Sequence, residues 1–401
     1  MKKRIFIAIH YLEIGGAERS LLGLLTALDT TRYDVDLFVH QHTGEFMPLI
    51  PAKINLLPEN KKYSTLERPM LQVLKEGHPD IVLARLWARY KSNRYIARQG
   101  ENAASSVFQY VANATTRLLS SLKGLGEYDL AISFLNPHNI VLEKVTARKK
   151  IAWIHTDYST IHVNAALELP VWGGYDYIAS ISDSCTTAFL STFPTLSDKI
   201  VLIENILSPA FVREQAVLQD VSAEMPDVVG EVKLLSVGRY STPKNFDNIP
   251  AICKLLIEGG AKLKWYIMGY GGDEALIKSK IAETGMQQHV ILLGKKSNPY
   301  PYMQACDIYV QPSRYEGKAV TVREAQMLYK PVVITRFPTA ASQLTDGVDG
   351  LIVPMDNEGA ARGILKVIKD KELQSKLINW LQTHDYGNET EVEKIYKLME
   401  V

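Results

Sequence analysis

Short apolar runs alternate with stretches of helical spacing along almost the whole chain. The first run, Arg4 to Ile9, gives way to Gly15-Gly16-Ala17-Glu18, after which Leu21, Leu22, Leu24, Leu25 and Leu28 recur with the helical period. Strand, glycine turn and helix in that order open a doubly wound unit. Asp34 to His40 and Lys53 to Leu57 predict the next strands. After a helical region come Asp129 to Phe134, Lys150 to Ile154, Asp176 to Ile181 and Lys199 to Ile203, all short and with β-branched or aromatic content. From Asn205 to Val232 the pattern breaks: Pro209, Pro226, several acids and weak periodicity mark a boundary. A second series follows in Lys233 to Gly238, Lys264 to Met268, Val290 to Leu293, Asp307 to Val310 and Pro331 to Thr335. Such alternation predicts parallel sheets with helices on both faces. The expected domains are 1–205 and 206–385, with a final segment 386–401 in which Glu389 to Val401 reads as a helix.

One stretch of the second series carries unusual chemistry. Ser313 to Ala325, between the strands Asp307–Pro312 and Lys330–Thr335, predicts a tight turn and a helix of about three turns. Glu316 falls in the turn and Glu324 one to two turns into the helix, which puts the carboxylates up to roughly 12 Å apart. That is too far to act on one bond but suits gripping two ends of an elongated ligand. A helix N-terminus beyond a strand end also favours phosphate. The plainer alternative is a helix that starts with acids because its dipole favours them.

Composition narrows the classes. A chain of 401 residues is long for one core. Hydrophobic residues make up 46% and charged ones 22%, as in ordinary globular proteins. The net charge of +1 gives no field that would recruit nucleic acid. Cys185, Cys253 and Cys306 lack metal-ligand spacing and fit a reducing compartment, so no metal site is expected. The apolar run after Lys2-Lys3-Arg4 is too short for a signal peptide, and no run has the ~20 apolar residues of a membrane span. A cytoplasmic protein, soluble or peripheral on the inner face of the plasma membrane, is the expectation. The segment 85–98 holds five basic residues, no acids, and interleaved Trp87, Tyr90 and Tyr95. It reads either as an interfacial helix for an anionic membrane or as a basic helix face with its aromatics in the core.

Other candidates sit where strands end. Gly238-Arg239 and Pro243-Lys244-Asn245 place a guanidinium and an ammonium where a diphosphate could be neutralised, unless they are surface charge only. Gly269-Tyr270-Gly271-Gly272 follows a strand and is either a ligand-approach loop or just a turn. Gly15 and Gly16 offer bare amides at a helix N-terminus, or a turn with φ > 0. His155, followed by Thr156-Asp157, ends a strand and is structural or functional.

Glu316 and Glu324 in their Ser-Arg-Tyr-Glu-Gly…Arg-Glu-Ala frame resemble the E-x7-E motif of retaining glycosyltransferases of the GT-B fold, family 4. The Gly-Arg…Lys-Asn and Gly-Gly-Ala-Glu segments match that family too, and the resemblance spans essentially the whole chain, most weakly between Tyr63 and Gly126. It implies two Rossmann-like domains facing across a cleft, acceptor in the first, donor in the second, and a last helix crossing back to the first. By resemblance Arg239 and Lys244 bind the donor diphosphate, Glu316 the sugar hydroxyls and Glu324 the ribose. Gly317, Lys318, Ala319 and Val320 would also line the donor, with Gly269, Gly271 and Lys295 near the nucleotide. Gly15 and Gly16 would face donor phosphate or acceptor. His155 would contact the donor sugar or reacting centre, and Asp157 would assist the acceptor. No cofactor or metal is implied. The donor is a co-substrate, expected to be a UDP-sugar, and the acceptor a glycan or lipid-linked saccharide of cell-surface polysaccharide assembly. A GT-B epimerase and a non-catalytic binding subunit are the alternatives. The sequence departs from the family at Lys318, Thr321, Tyr329 and the loop 336–343, which bears on sugar identity.

Overall fold

The computed structural model describes residues 2–66, 68–99, 106–316 and 319–400. The chain forms two compact units, Met1–Ile206 with Glu389–Val401, and Leu207–Asn388.

The first unit is built on a seven-stranded sheet, β1 (Lys3–Ile9), β2 (Tyr33–Val39), β3 (Asn55–Leu56), β4 (Glu127–Ser133), β5 (Thr146–Ile154), β6 (Tyr177–Ser180) and β7 (Ile200–Leu202), in the order β3-β2-β1-β4-β5-β6-β7. All its pairings are parallel. Burial on both faces explains why Ile5 to Ile9 is a continuous apolar run rather than an alternating one. Phe6, Phe38, Tyr63 and Tyr128 pack together on one side. The terminal segment belongs to this unit. It holds a 3-10 turn, Glu389–Glu391, and a helix, Val392–Leu398. Tyr396 stacks on Tyr33 with centroids 4.3 Å apart, and its hydroxyl accepts from Asp29 N at 2.8 Å.

The second unit is a six-stranded sheet, β8 (Val232–Val237), β9 (Leu263–Met268), β10 (Val290–Gly294), β11 (Ile308–Gln311), β12 (Val332–Thr335) and β13 (Leu351–Val353), ordered β10-β9-β8-β11-β12-β13 and likewise parallel. Ser236 supplies a buried polar tie in its centre: its hydroxyl donates to Val310 O at 2.6 Å and accepts from Trp265 Nε1 at 2.9 Å.

The elements differ from the sequence pattern in three places. β13 escaped it, because its three residues between Gly350 and Pro354 are too few to show a period. The boundary stretch holds a helix, Pro209–Ala216, with Pro209 in its first turn and Ser208 Oγ accepting from Phe211 N. The helix expected to follow the turn within 313–325 begins only at Val320 and runs to Met327, about two turns rather than three, and the Thr335 and Thr339 hydroxyls donate to the Ser313 and Glu316 carbonyls ahead of it. Of the two readings of 85–98, the one with its aromatics in the core does not hold for Trp87 and Tyr90, whose rings stack 5.6 Å apart on the surface of the helix Pro79–Gln99, each more than half exposed.

Candidate active site

The second sheet reverses strand order between β8 and β11, and doubly wound sheets bind ligands beyond the strand ends at such a point. β8 leads through Gly238-Arg239 into the 3-10 turn Thr242–Lys244, closed by Asn245 at φ 60°. Asparagine tolerates that left-handed conformation. Its amide donates to Pro312 O at 2.8 Å and ties this loop to the one after β11. Arg314 adds two ties: its N–H donates to Pro243 O, and its guanidinium forks Asp247 at 2.9 and 2.8 Å.

With both loops fixed, Lys244 Nζ lies 2.6 Å from Glu316 Oε1, the side chains only 21% and 9% exposed. The same oxygen accepts from Ser313 Oγ at 2.6 Å and from Gln311 Nε2 at 3.2 Å. Gln311 is held in turn by the Tyr309 hydroxyl, which donates to its Oε1 at 2.7 Å. The family resemblance implies that Lys244 and Glu316 hold different parts of a ligand. In the fold they are each other's partner, an anchored ammonium–carboxylate pair. Arg239 stands nearby in sequence at the lip of β8, its side chain exposed.

The remaining candidates of this unit are placed as follows. Glu324 is 1% exposed, and its Oε1 accepts from the Tyr300 hydroxyl at 2.8 Å. Ala319 is the N-cap of the helix that begins at Val320, and its N–H donates to Gln343 Oε1 at 3.0 Å. Gly317 and Lys318 lie outside the described residues. Gly269 and Gly271 have φ 151° and 156°, and a Cβ on them would collide with the carbonyls of Gly238 and Tyr240 respectively. Glycine is therefore required there by the neighbouring backbone. Lys295 is exposed, its Nζ 5.4 Å from the Tyr270 ring centroid.

In the first unit Gly15 caps the helix Gly16–Ala27 with extended backbone, φ −151°, so the left-handed turn considered for this pair does not occur. A Cβ on Gly15 would press on the Glu18 carboxylate, whereas Gly16 has open space. His155 follows β5 and packs on Phe134 at 4.5 Å and Trp153 at 5.9 Å. Burial pushes its imidazole down to about 3, so it is neutral at pH 7. Asp157 is engaged in its own turn, accepting from Ser159 N and Oγ at 2.9 and 2.6 Å.

Several contributors carry no motif. Gln311, Ser313, Tyr300, Thr339 and Gln343 hold the loop and both glutamates, and the one available signal was a polar Gln311 ending a buried strand. A second constellation went unread altogether. The first sheet reverses between β1 and β4, and there a cavity of about 330 Å³ is lined by His10, Leu135, Asn139, Thr156, Glu168 and Trp172 among others. Glu168 is 8% exposed, and its Oε2 accepts from the Tyr158 hydroxyl at 3.1 Å and from Trp172 Nε1 at 3.4 Å. Burial raises its carboxyl to about 7 against these donors. Among the described residues no group of His, Cys, Asp and Glu side chains is arranged to hold a metal ion.

Residues 223–381, which include every strand of the second sheet, match the family described as Glycosyl transferases group 1. Over 388 residues the chain is 25% identical to the N-acetylgalactosamine-N,N'-diacetylbacillosaminyl-diphospho-undecaprenol 4-alpha-N-acetylgalactosaminyltransferase of Campylobacter jejuni, covering 95% of this chain and 94% of that one. Among solved structures it resembles Anabaena Alr3699/HepE in complex with UDP and glucose, with a TM-score of 0.63 at 15% identity over 99% of both chains. A glycosyltransferase from Rickettsia africae gives a TM-score of 0.63 at 14% identity, covering 100% of this chain and 98% of that one. Residues 223–381 are thus similar to the glycosyl transferases group 1, and the chain has the GT-B fold of two Rossmann-like units.

Proposed function

We propose that this glycosyltransferase moves a sugar with retention of configuration, without a bound metal, from a UDP-sugar held by the second unit to a hydroxyl of a glycan or lipid-linked saccharide held by the first. The observation that carries this reading is the Lys244–Glu316 pair anchored at the β8/β11 reversal. A diphosphate entering beside Arg239 meets one guanidinium, able to grip two oxygens, and one ammonium. These cations do the work a metal would otherwise do, because negative charge grows on the leaving phosphate as the glycosidic bond breaks. Glu316, held rigid by Ser313, Gln311 and Lys244, accepts from the sugar hydroxyls. Glu324 takes the ribose hydroxyls from within its Tyr300 contact. No side chain acts as nucleophile: the acceptor hydroxyl attacks on the face the nucleotide leaves and passes its proton to a departing phosphate oxygen. The Campylobacter relative's name, which specifies a diphospho-undecaprenol-linked substrate, supports a lipid-linked acceptor in polysaccharide assembly.

A lipid-linked acceptor requires access to a bilayer. The helix Pro79–Gln99 offers it an exposed face: Leu83, Trp87 and Tyr90 stand out, with Lys91 over the Trp87 ring and Arg94 over the Tyr90 ring at 5.2 and 5.8 Å. Apolar rings flanked by cations fit an anionic membrane interface on the cytoplasmic side.

Thermal-shift measurement with UDP-, GDP- and ADP-sugars tests the donor, since a ligand raises stability by mass action. Stabilisation by UDP-sugars, turnover that survives EDTA and α-linked product from an α-linked donor are expected. Inverted product or loss of turnover in EDTA would refute the mechanism. Equal flotation with neutral and anionic liposomes would remove the membrane contact.

A further inference from the structure

The cavity at the β1/β4 reversal lies at the first unit's counterpart of the donor point, but its lining differs in kind. No lysine or arginine appears among the described residues that line it. Its titratable groups are His10, Tyr11, His138, Tyr158 and Glu168. His138 is neutral, its imidazole lowered to about 3 by burial, with Nδ1 2.8 Å from Ser133 Oγ. The polar remainder consists chiefly of amides. Asn139 Nδ2 donates to Asn113 Oδ1 at 2.5 Å, and Gln109 Oε1 accepts from Asn164 N at 3.1 Å. The other walls are apolar, among them Leu135, Val171 and the Trp172 ring.

We infer that this cavity is the subsite for an uncharged, hydroxyl-bearing sugar ring of the acceptor, and that Glu168 is the residue that selects for it. The inference rests on the glycosyltransferase reading and gives its acceptor a chemical class. About 330 Å³ falls at the small end of the ~300–1,000 Å³ typical of ligand sites and suits a single ring. Amides both donate and accept, as sugar hydroxyls do, and apolar walls match the C–H faces of a ring. A phosphate or a uronate would find no cation here and would lie against Glu168. Charge would then be buried without a partner, which is expensive. Near neutrality Glu168 is present both as carboxyl and as carboxylate, so it can give a hydrogen bond to a sugar oxygen or take one from a hydroxyl, but it brings no positive charge to balance an anion, and its carboxylate form repels one. A hydrogen bond matched in this way rejects ligands that lack it more strongly than an apolar wall can.

The test uses the full chain and the Trp172 indole Nε1–H resonance, which reports on the bond to Glu168 and is assigned with Trp172→Phe. The probes are methyl glucoside, methyl N-acetylglucosaminide, glucuronate and inorganic phosphate, titrated at pH 7 in parallel with a UDP thermal shift. Saturable movement of the resonance with the two neutral probes is expected, with at least about tenfold weaker response to glucuronate and phosphate. Glu168→Gln should keep the UDP shift, weaken the neutral probes several-fold and narrow the gap to glucuronate. Asn113→Ala should weaken the neutral probes with the UDP shift unchanged. Equal response to neutral and anionic probes, or a Glu168→Gln variant indistinguishable from wild type, would overturn the inference. A normal UDP shift with no probe reaching Trp172 would also overturn it and leave the donor reading standing. Loss of the UDP shift itself would sink that reading instead.

Discussion

Beyond the ends of β8 and β11 stand Arg239, Lys244 and Glu316, fixed charges on loops tied to each other by Asn245 and Arg314. Beyond the ends of β1 and β4 stand Asn113, Asn139, Glu168 and Trp172, with neutral His138 and no cation among the described lining residues. Both places arise from one device, a parallel sheet whose strand order reverses and leaves a hollow where neighbouring connections part to opposite faces. The device determines where a ligand goes but not what the ligand is. That choice belongs to the loop side chains, so one chain can carry an anion site and a neutral-ligand site on two copies of the same plan.

The largest effect should come from breaking the charged site. Lys244→Ala and Glu316→Ala are each expected to lower kcat by about 10²–10³, the cost of losing one preorganised electrostatic partner. The double variant should fall little further, because the two side chains form one unit. Fully multiplicative losses would show that the pair is incidental.

A smaller effect, on stability, separates the glycine loops of the two units. Gly269→Ala puts a Cβ onto the Gly238 carbonyl and also needs a rare φ, and should cost about 2 kcal/mol or more in denaturant unfolding of the second unit. Gly16→Ala meets open space in a first helical turn and should change stability by no more than about 1 kcal/mol. If Gly16→Ala nevertheless abolished transfer, a ligand would need the room that the protein itself leaves unused.

The smallest effect is the pH response of the first unit. Its buried His138 and His155 have folded values near 3, below the ordinary histidine value, so the folded state binds fewer protons than the unfolded chain between about pH 3 and 6.5. The stability they contribute is complete above that window and is lost as pH falls through it. Glu168 acts in the opposite sense. Its folded value of about 7 lies above the ordinary carboxyl value, so its contribution is present at acid pH and is lost as pH rises to about 7. Glu168→Gln should therefore gain on wild type as pH rises from 5 to 8, by a few degrees in Tm. A constant difference would mean that Glu168 is not held protonated by burial.

Local signals were enough for twelve of the thirteen strands among the described residues, since the central strands are buried on both faces and must be continuous apolar runs. Glu316, Glu324, Arg239 and Lys244, the residue types of the proposed donor site, likewise stand in frames readable along one line. Even Tyr329, a departure from a frequent glycine, has its reason in the fold. It takes φ 59°, and the Arg213 guanidinium 4.8 Å from its ring offsets part of the strain. Partnership was not legible. That Lys244 closes on Glu316 depends on two loops 72 residues apart being tied by Asn245 and Arg314. That Trp87 and Tyr90 face outward depends on which side of their helix the rest of the first unit covers.

The sequence by itself determined the two parallel sheets and the charged residues of the second unit, because periodicity and short motifs are properties of neighbouring positions. Only the tertiary structure decided which charges pair, that Gly269 and Gly271 serve the adjacent backbone, and that Glu168 meets Tyr158 and Trp172 at the wall of a cavity. These are contacts between positions far apart in the chain, and close packing creates them while leaving no local trace in the residues that make them.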